Sequence, residues 1–420
     1  MNKFVVTFSF AIFVVLSNQA LLAQSREIPM AKPEEVGMSA DKLAKVDAAM
    51  QDSIKQNRIP GGIVMIARHG KIVHFQAYGQ MDLEANKPMT TDAIMRFYSM
   101  SKAITTAAAL MLYDEGKLDI NDPISKYLPE LKEPSVAVGD ETKPAKHAMT
   151  VADLMRHTAG YSYGNSPQPL HDRAYRELNI MDHSGTLANM QEKLGKLPLA
   201  YEPGTDWLYS ISIDVLGRVV EVVSGETLDD FFRERIFQPL DMSDTGFYVP
   251  QEKVARFAAN YNRDDKGELT LGDAPEKSRY LNKPTFYSGG GGLVSTARDY
   301  MRFLLLIAGE GELQGTRLLK PDTVKLMTTN QVPKEVGWIK FGEQVREGVG
   351  FGFGFSVRVE MSDWDKQGRV GEYGWGGAAS THYWVSPKDD LVVITLEQVM
   401  PYSFETEFKL KGLIYDAIED

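Results

Sequence analysis

The sequence predicts an α/β (α+β) fold: an antiparallel sheet flanked by an N-terminal and a C-terminal helix, with an all-helical lobe inserted between its two halves. Three observations point to it. β-Rich runs occur near the two ends of the chain, at 63–78 and 348–396. Between about Asp122 and Asn282 the pattern changes to helices separated by Pro- and Gly-containing loops. Helical periodicity at 39–58 and 404–418 brackets the whole. The expected domain runs over 24–420, with an α/β lobe at about 36–104 and 286–420 and a helical lobe at about 105–285.

Taken in order, Met1-Asn2-Lys3 precede an apolar stretch from Phe4 to Leu16, then polar Ser17-Asn18-Gln19 and Ala20-Leu21-Leu22-Ala23. A lysine, a short apolar core and a small residue form the pattern of an export signal, 1–23, cleaved after Ala23. No later segment is long and apolar enough to span a bilayer, so the expectation is a periplasmic or secreted protein with no membrane insertion after cleavage. Ser39 can cap a helix whose Leu43, Val46, Met50 and Ile54 recur at helical spacing, ended by Pro60-Gly61-Gly62. Ile63–Ala67 and Ile72–Tyr78 read as a hairpin turning at His69-Gly70-Lys71. Ala103 to Leu112 reads as a buried helix with Ser99 in its first turn, stopped at Gly116. Further helices are expected at 151–156, 213–223, 228–237 and 296–307. The strands expected after them are 348–359, 379–385 and 391–396. In the first of these, Gly348, Gly350, Gly352 and Gly354 leave one face without side chains, which implies close packing.

Composition narrows the function. With 46 Lys+Arg against 57 Asp+Glu, a net charge of -11 and no basic run, the chain lacks the positive footprint that nucleic-acid phosphates need. Having no Cys, it cannot form a disulfide, a thiolate nucleophile or a Cys-ligated zinc site. Its 7 His show no metal-ligand spacing, so neither a metal nor another cofactor is expected.

Three segments could carry chemistry. Gly160-Tyr161-Ser162-Tyr163-Gly164 fits the G-x-S-x-G pattern, but that elbow needs a strand before it, and 151–157 is spaced as a helix. Asn262-Arg263-Asp264-Asp265-Lys266-Gly267 has the outline of a calcium loop. Lys266 occupies a ligand position, and a cation there repels the metal, so it reads as a polar turn. Ser99-x-x-Lys102 remains. Residues three apart share one helix face, so Lys102 can reach the Ser99 hydroxyl, and a helix N-terminus favours a developing oxyanion.

The neighbours of Ser99 give this pair its meaning. From about Gly37 to the last helix the chain resembles the serine β-lactamase and penicillin-binding-protein superfamily, in its class C-like branch, which includes the family VIII carboxylesterases. The motifs are Pro60-Gly61-Gly62, Ser99-Met100-Ser101-Lys102, His157-Thr158-Ala159-Gly160, Pro203-Gly204-Thr205 leading to Tyr209-Ser210, Gly290-Gly291-Gly292-Leu293-Val294-Ser295-Thr296, and Trp375-Gly376-Gly377. Each alone is weak; their order over this length is specific. The resemblance implies the β-lactamase-like (D,D-peptidase) fold. Ile211 stands where β-lactamases carry Asn, Asp214-Val215-Leu216-Gly217 follows as in the esterase branch, and Trp375 replaces the β-lactamase Lys or His.

What the resemblance implies is a serine carboxylesterase acting on a small-molecule ester. Ser99 is the expected nucleophile, Lys102 and Tyr209 the coupled general base and acid, and the backbone N–H groups of Ser99 and Ala378 the oxyanion hole. Trp375, Gly376 and Gly377 are expected to line the substrate site, Ala378 lying on a strand. Either Lys102 or Tyr209 could take the first proton. Arg369 could supply the cation that Trp375 lacks. Two alternatives stay open: a β-lactamase or D,D-peptidase on the same fold, and a binding protein without turnover. The natural ester, an alcohol acceptor in place of water and the oligomeric state are not fixed by the sequence.

Overall fold

The computed structural model describes residues 27–419. The segment read as an export signal, 1–23, lies outside the described residues. The main sheet comprises β1 (Gly61–Arg68), β2 (Lys71–Asp82), β3 (Lys87–Pro88), β4 (Val349–Phe351), β5 (Ser356–Arg358), β6 (Tyr373–Gly377), β7 (Thr381–Ser386) and β8 (Leu391–Leu396). Their order is β4-β5-β6-β7-β8-β1-β2-β3, and every neighbouring pair is antiparallel.

All eight residues of β1 are buried, which explains its unbroken apolar run: both faces of the sheet are covered. Alternate β1 side chains go to opposite sides. Val64 and Ile66 pack with Val46 and Met50 of α1 (Ala40–Lys55) and Leu410 and Ile414 of α10 (Glu405–Asp416). Ile63 and Met65 join the larger core with Ala103 and Ile104 of α2 (Ser101–Asp114) and Leu304 of α8 (Ala297–Ala308). Ser39 caps α1 by accepting from Lys42 N, as its position predicts.

Between α2 and α8 the chain forms α3 (Val151–Met155), α4 (Pro169–Glu177), α5 (Leu187–Leu194), α6 (Ser212–Ser224) and α7 (Leu228–Phe232), followed by a π-helical turn at Arg233–Phe237. A further helix, α9 (Pro321–Thr328), precedes β4. The middle of the chain also holds two short hairpins that the helical pattern hides, Ser135–Val138 with Glu141–Pro144 and Asn260–Arg263 with Leu269–Asp273. The polar turn at Asp264 joins the strands of the second, its carboxylate accepting from Lys266 N and Glu268 N at 2.9 Å each.

Two strand boundaries differ from expectation. The stretch 348–359 is not one strand: it folds back as β4 and β5, because Gly354 takes φ +88° and a Cβ on Gly352 would lie 2.0 Å from the Met327 carbonyl oxygen. The alternating glycines do serve close packing, since a Cβ on Gly350 would lie 2.2 Å from Asn330 Oδ1. Residues 378–380 form a turn with Ser380 at φ +56°, so β7 starts at Thr381. Ala378 therefore lies one residue past the end of β6, not on a strand.

A buried ionic cluster ties α10 to the sheet: Lys411 Nζ is 2.6 Å from Glu372, 2.8 Å from Asp365 and 3.5 Å from Glu407, and His382 is 2.9 Å from Glu407. Glu397 is buried beside it, and burial pushes its carboxyl up to about 7. An acid raised on folding binds protons more tightly folded than unfolded, so its cost to stability is absent below about pH 4.5 and grows as pH rises towards 7. Glu397→Gln, neutral at every pH, is therefore expected to raise Tm above wild type by a few degrees at pH 8 and to leave it unchanged near pH 4.5. Thermal unfolding of both proteins at the two pH values checks this; an equal or lower Tm for the variant at pH 8 refutes it.

Candidate active site

Ser99 lies in a 3-10 turn, Tyr98–Met100, that runs directly into α2. Tyr98 adopts φ +42°, a left-handed conformation that costs a non-glycine residue about 1–3 kcal/mol and persists only where neighbours enforce it. Here the turn is held from two sides. A Cβ on Gly377 at the end of β6 would lie 2.3 Å from the Phe97 carbonyl oxygen, so only glycine lets β6 come this close. Gly291, in the glycine-rich loop before α8, faces the Tyr98 backbone.

Lys102 is fully buried as the second residue of α2, three residues after Ser99. Its Nζ donates to Ser99 Oγ at 3.1 Å, to Tyr163 Oη at 3.2 Å and to the Gly290 carbonyl at 2.6 Å. Asp214, fully buried on α6, fixes that carbonyl in turn: its Oδ1 accepts from Gly290 N at 3.0 Å and from Ser288 Oγ. A Cβ on Gly290 would lie 2.4 Å from Asp214 Oδ2, hence the glycine.

Tyr209 completes the arrangement from the loop before α6. Its Oη donates to Ser99 Oγ at 2.6 Å, its ring lies 4.6 Å from Lys102 Nζ, and Trp375 Nε1 donates to the same Oη at 3.3 Å. The position of Tyr209 follows from two motifs meeting: Gly204 N donates to Thr158 O at 2.8 Å, and Leu208 N to His157 O at 3.0 Å. His157 packs on the Tyr209 ring at 4.9 Å. Burial, and then the Lys102 charge, hold this imidazole well below its ordinary range, so it is a neutral support and not a base at pH 7. Burial, with the Asp214 charge next, pushes the Tyr163 phenol well above its ordinary value, so it stays protonated.

The structure thus brings together Ser99, Lys102, Tyr209 and Trp375. Ala378 is half-buried in the turn after β6, next to the glycine that packs on Phe97. Gly376 and Gly377 are buried; a Cβ on Gly376 would lie 2.6 Å from Tyr402 Oη. Arg369 is not beside Trp375. Its guanidinium lies over Tyr415 at 4.1 Å and 3.8 Å from Asp389, and the cation that does approach the Trp375 ring, at 5.6 Å, is Arg346. Ser162 is fully buried and bonded to His171 Nε2 at 2.8 Å, with helix α3 and a loop before it in place of an elbow strand. Among the described residues, no three His, Asp or Glu side chains converge as a metal site would require.

Reading by motif missed Tyr163, Asp214 as the anchor of Gly290, and Arg346. Tyr163 sits inside the segment judged only for Ser162, and its signal was the His157–Gly160 motif just upstream. Arg346 had no local signal, because it reaches the site only through the fold.

A partly exposed serine bonded to a buried lysine and opposed by a tyrosine, on an antiparallel sheet flanked by helices, defines a serine hydrolase of β-lactamase-like fold. The chain belongs to the Beta-lactamase family, whose profile matches residues 46–411. It is 34% identical over 366 residues to Protein Rv1367c of Mycobacterium tuberculosis, covering 84% of this chain and 89% of that one. Esterase EstB of Burkholderia gladioli is 29% identical over 378 residues, covering 85% and 91%. Among solved structures, EstCE1, described as a hydrolase with promiscuous acyltransferase activity, superposes with TM-score 0.77 at 30% identity, covering 89% of this chain and 99% of that one.

Proposed function

We propose that this serine hydrolase is a carboxylesterase, and the observation that carries the reading is the Ser99 hydroxyl shared between Lys102 Nζ and Tyr209 Oη. In the proposed cycle the Lys102–Tyr209 pair takes the Ser99 proton as Oγ bonds to the ester carbonyl carbon. The N–H groups of Ser99 and Ala378 hold the resulting oxyanion. Tyr209 gives the proton to the leaving alkoxide as the C–O bond breaks, and water repeats the sequence in reverse to free the acid and Ser99. Lys102 Nζ, bonded to Tyr163 Oη and the Gly290 carbonyl and 4.6 Å from the Tyr209 ring, is placed to stabilise negative charge developing on Tyr209. An alcohol can replace water in the second half, a reading supported by the description of EstCE1. Residues 1–23 support export to the periplasm or medium.

The β-lactamase or peptidase reading is disfavoured by Ile211 and Trp375. A penicillin carries its carboxylate close to the scissile amide, where it would meet the Trp375 indole. Burying a charge there without a partner is costly. Short-chain neutral esters are therefore expected to exceed benzylpenicillin and D-Ala-D-Ala peptides in kcat/KM by at least about 100-fold. Assays of the substrate classes on one preparation test this; comparable efficiency on the carboxylate-bearing amides makes the β-lactamase or peptidase reading the better one.

A further inference from the structure

Arg346 lies between the short hairpin at 340–345 and β4, enclosed by aromatic rings. Its guanidinium carbon is 4.1 Å from the centroid of Phe341, 4.8 Å from Phe404, 5.1 Å from Trp364 and 5.6 Å from Trp375. It makes no salt bridge with a described residue, and its buried Nε has no hydrogen-bond partner. The carboxylate that faces it, Glu407, is already held by His382 at 2.9 Å and Lys411 at 3.5 Å. The other groups facing it electrostatically are the phenols of Tyr402 and Tyr209.

This cation stands at the end of an aromatic wall that starts at the reacting atoms. Tyr209, which bonds to Ser99 Oγ, is 5.4 Å from Phe341 and 5.4 Å from Trp375 between ring centroids. Phe341, Trp375 and Arg346 are each partly exposed, so the wall is open to a bound molecule. Tyr209 is the group that faces the leaving oxygen in the proposed cycle, so the alcohol portion of an ester would lie along this wall. Packing against rings accounts for where Arg346 sits; it does not supply a counter-ion, and a guanidinium fork is well suited to a carboxylate.

We propose that Arg346 forms a subsite for a carboxylate on the alcohol portion of the ester, set off from the ester oxygen by several bonds. The preferred substrates are then acyl esters of hydroxy acids. A penicillin carries its carboxylate beside the scissile bond, whereas the subsite is proposed for one set farther out along the wall. The inference rests on the esterase reading.

The test compares pentyl acetate with 5-acetoxypentanoate, two esters of one acid whose alcohols differ by a terminal carboxylate. Wild-type enzyme is expected to favour 5-acetoxypentanoate in kcat/KM by at least about tenfold, the scale of one hydrogen bond to a charged group. In Arg346→Met the ratio of the two efficiencies is expected to fall by about tenfold to hundredfold, and Arg346→Lys is expected to recover part of it. Reading the ratio cancels any general loss of packing around Trp375, and the wild-type preference needs no variant at all. Turnover of pentyl acetate with no preference for the acid, or a ratio unchanged in Arg346→Met, overturns the subsite alone. Turnover of neither ester by wild type overturns the esterase reading and the subsite with it.

Discussion

Ser99→Ala is expected to abolish ester turnover and labelling by a serine-directed phosphonate, while Ser162→Ala retains both. The two serines differ in physical setting. Ser99 is partly exposed, with Lys102 Nζ at 3.1 Å and Tyr209 Oη at 2.6 Å ready to manage its proton. Ser162 has a histidine partner at 2.8 Å, which superficially resembles a nucleophile and base, yet the serine is fully buried and its Oγ also accepts from Gly164 N at 2.8 Å. The other nitrogen of that imidazole contacts the Pro198 carbonyl at 2.6 Å, so no carboxylate orients it. Mapping the labelled peptide decides between them: modification at Ser162 would remove Ser99 from the mechanism.

Tyr209→Phe is expected to lower kcat by about 100-fold or more, the usual scale for losing a positioned proton-transfer group. The substitution keeps the ring that packs on His157 at 4.9 Å and on Trp375 at 5.4 Å, and deletes only the oxygen that bonds Ser99 and Trp375. Loss of packing therefore cannot explain a lower rate. Single-turnover kinetics on an activated ester separate the two half-reactions, and acylation is expected to slow along with deacylation. A kcat near wild type would exclude the Tyr209 hydroxyl from proton transfer.

Much of this site was legible because its residues come in short local patterns. Ser99 and Lys102 lie three apart on a single helix, and Tyr209 and Trp375 carry motif neighbours that mark them. The same holds for β1 and β2, whose hairpin is a local event. What escaped was non-local. The break between β4 and β5 depends on the Met327 carbonyl occupying the space beside Gly352, which no window around Gly352 contains. Ala378 is expected on a strand as the residue after the Trp375-Gly376-Gly377 motif, whereas the Phe97 carbonyl against Gly377 and the left-handed Ser380 end β6 and turn the chain there. Arg369 and Arg346 look alike in sequence; only the fold puts one on Tyr415 and the other against Trp375.

The pairing of β1 with β8 sets when the enzyme can work. Ile63 lies opposite Leu396, so the centre of the sheet closes only by joining segments more than 300 residues apart. Such contacts carry a large loop-closure entropy and form late compared with helices and hairpins. The nucleophile turn depends on the same event, because its support, Gly377, belongs to a strand that reaches β1 only through β7 and β8. A nascent chain that has already made Ser99, Lys102 and Tyr209 still lacks the wall that holds Tyr98 in its left-handed conformation. Support for the nucleophile turn thus depends on closure of the sheet centre, where β8 joins β7 to β1.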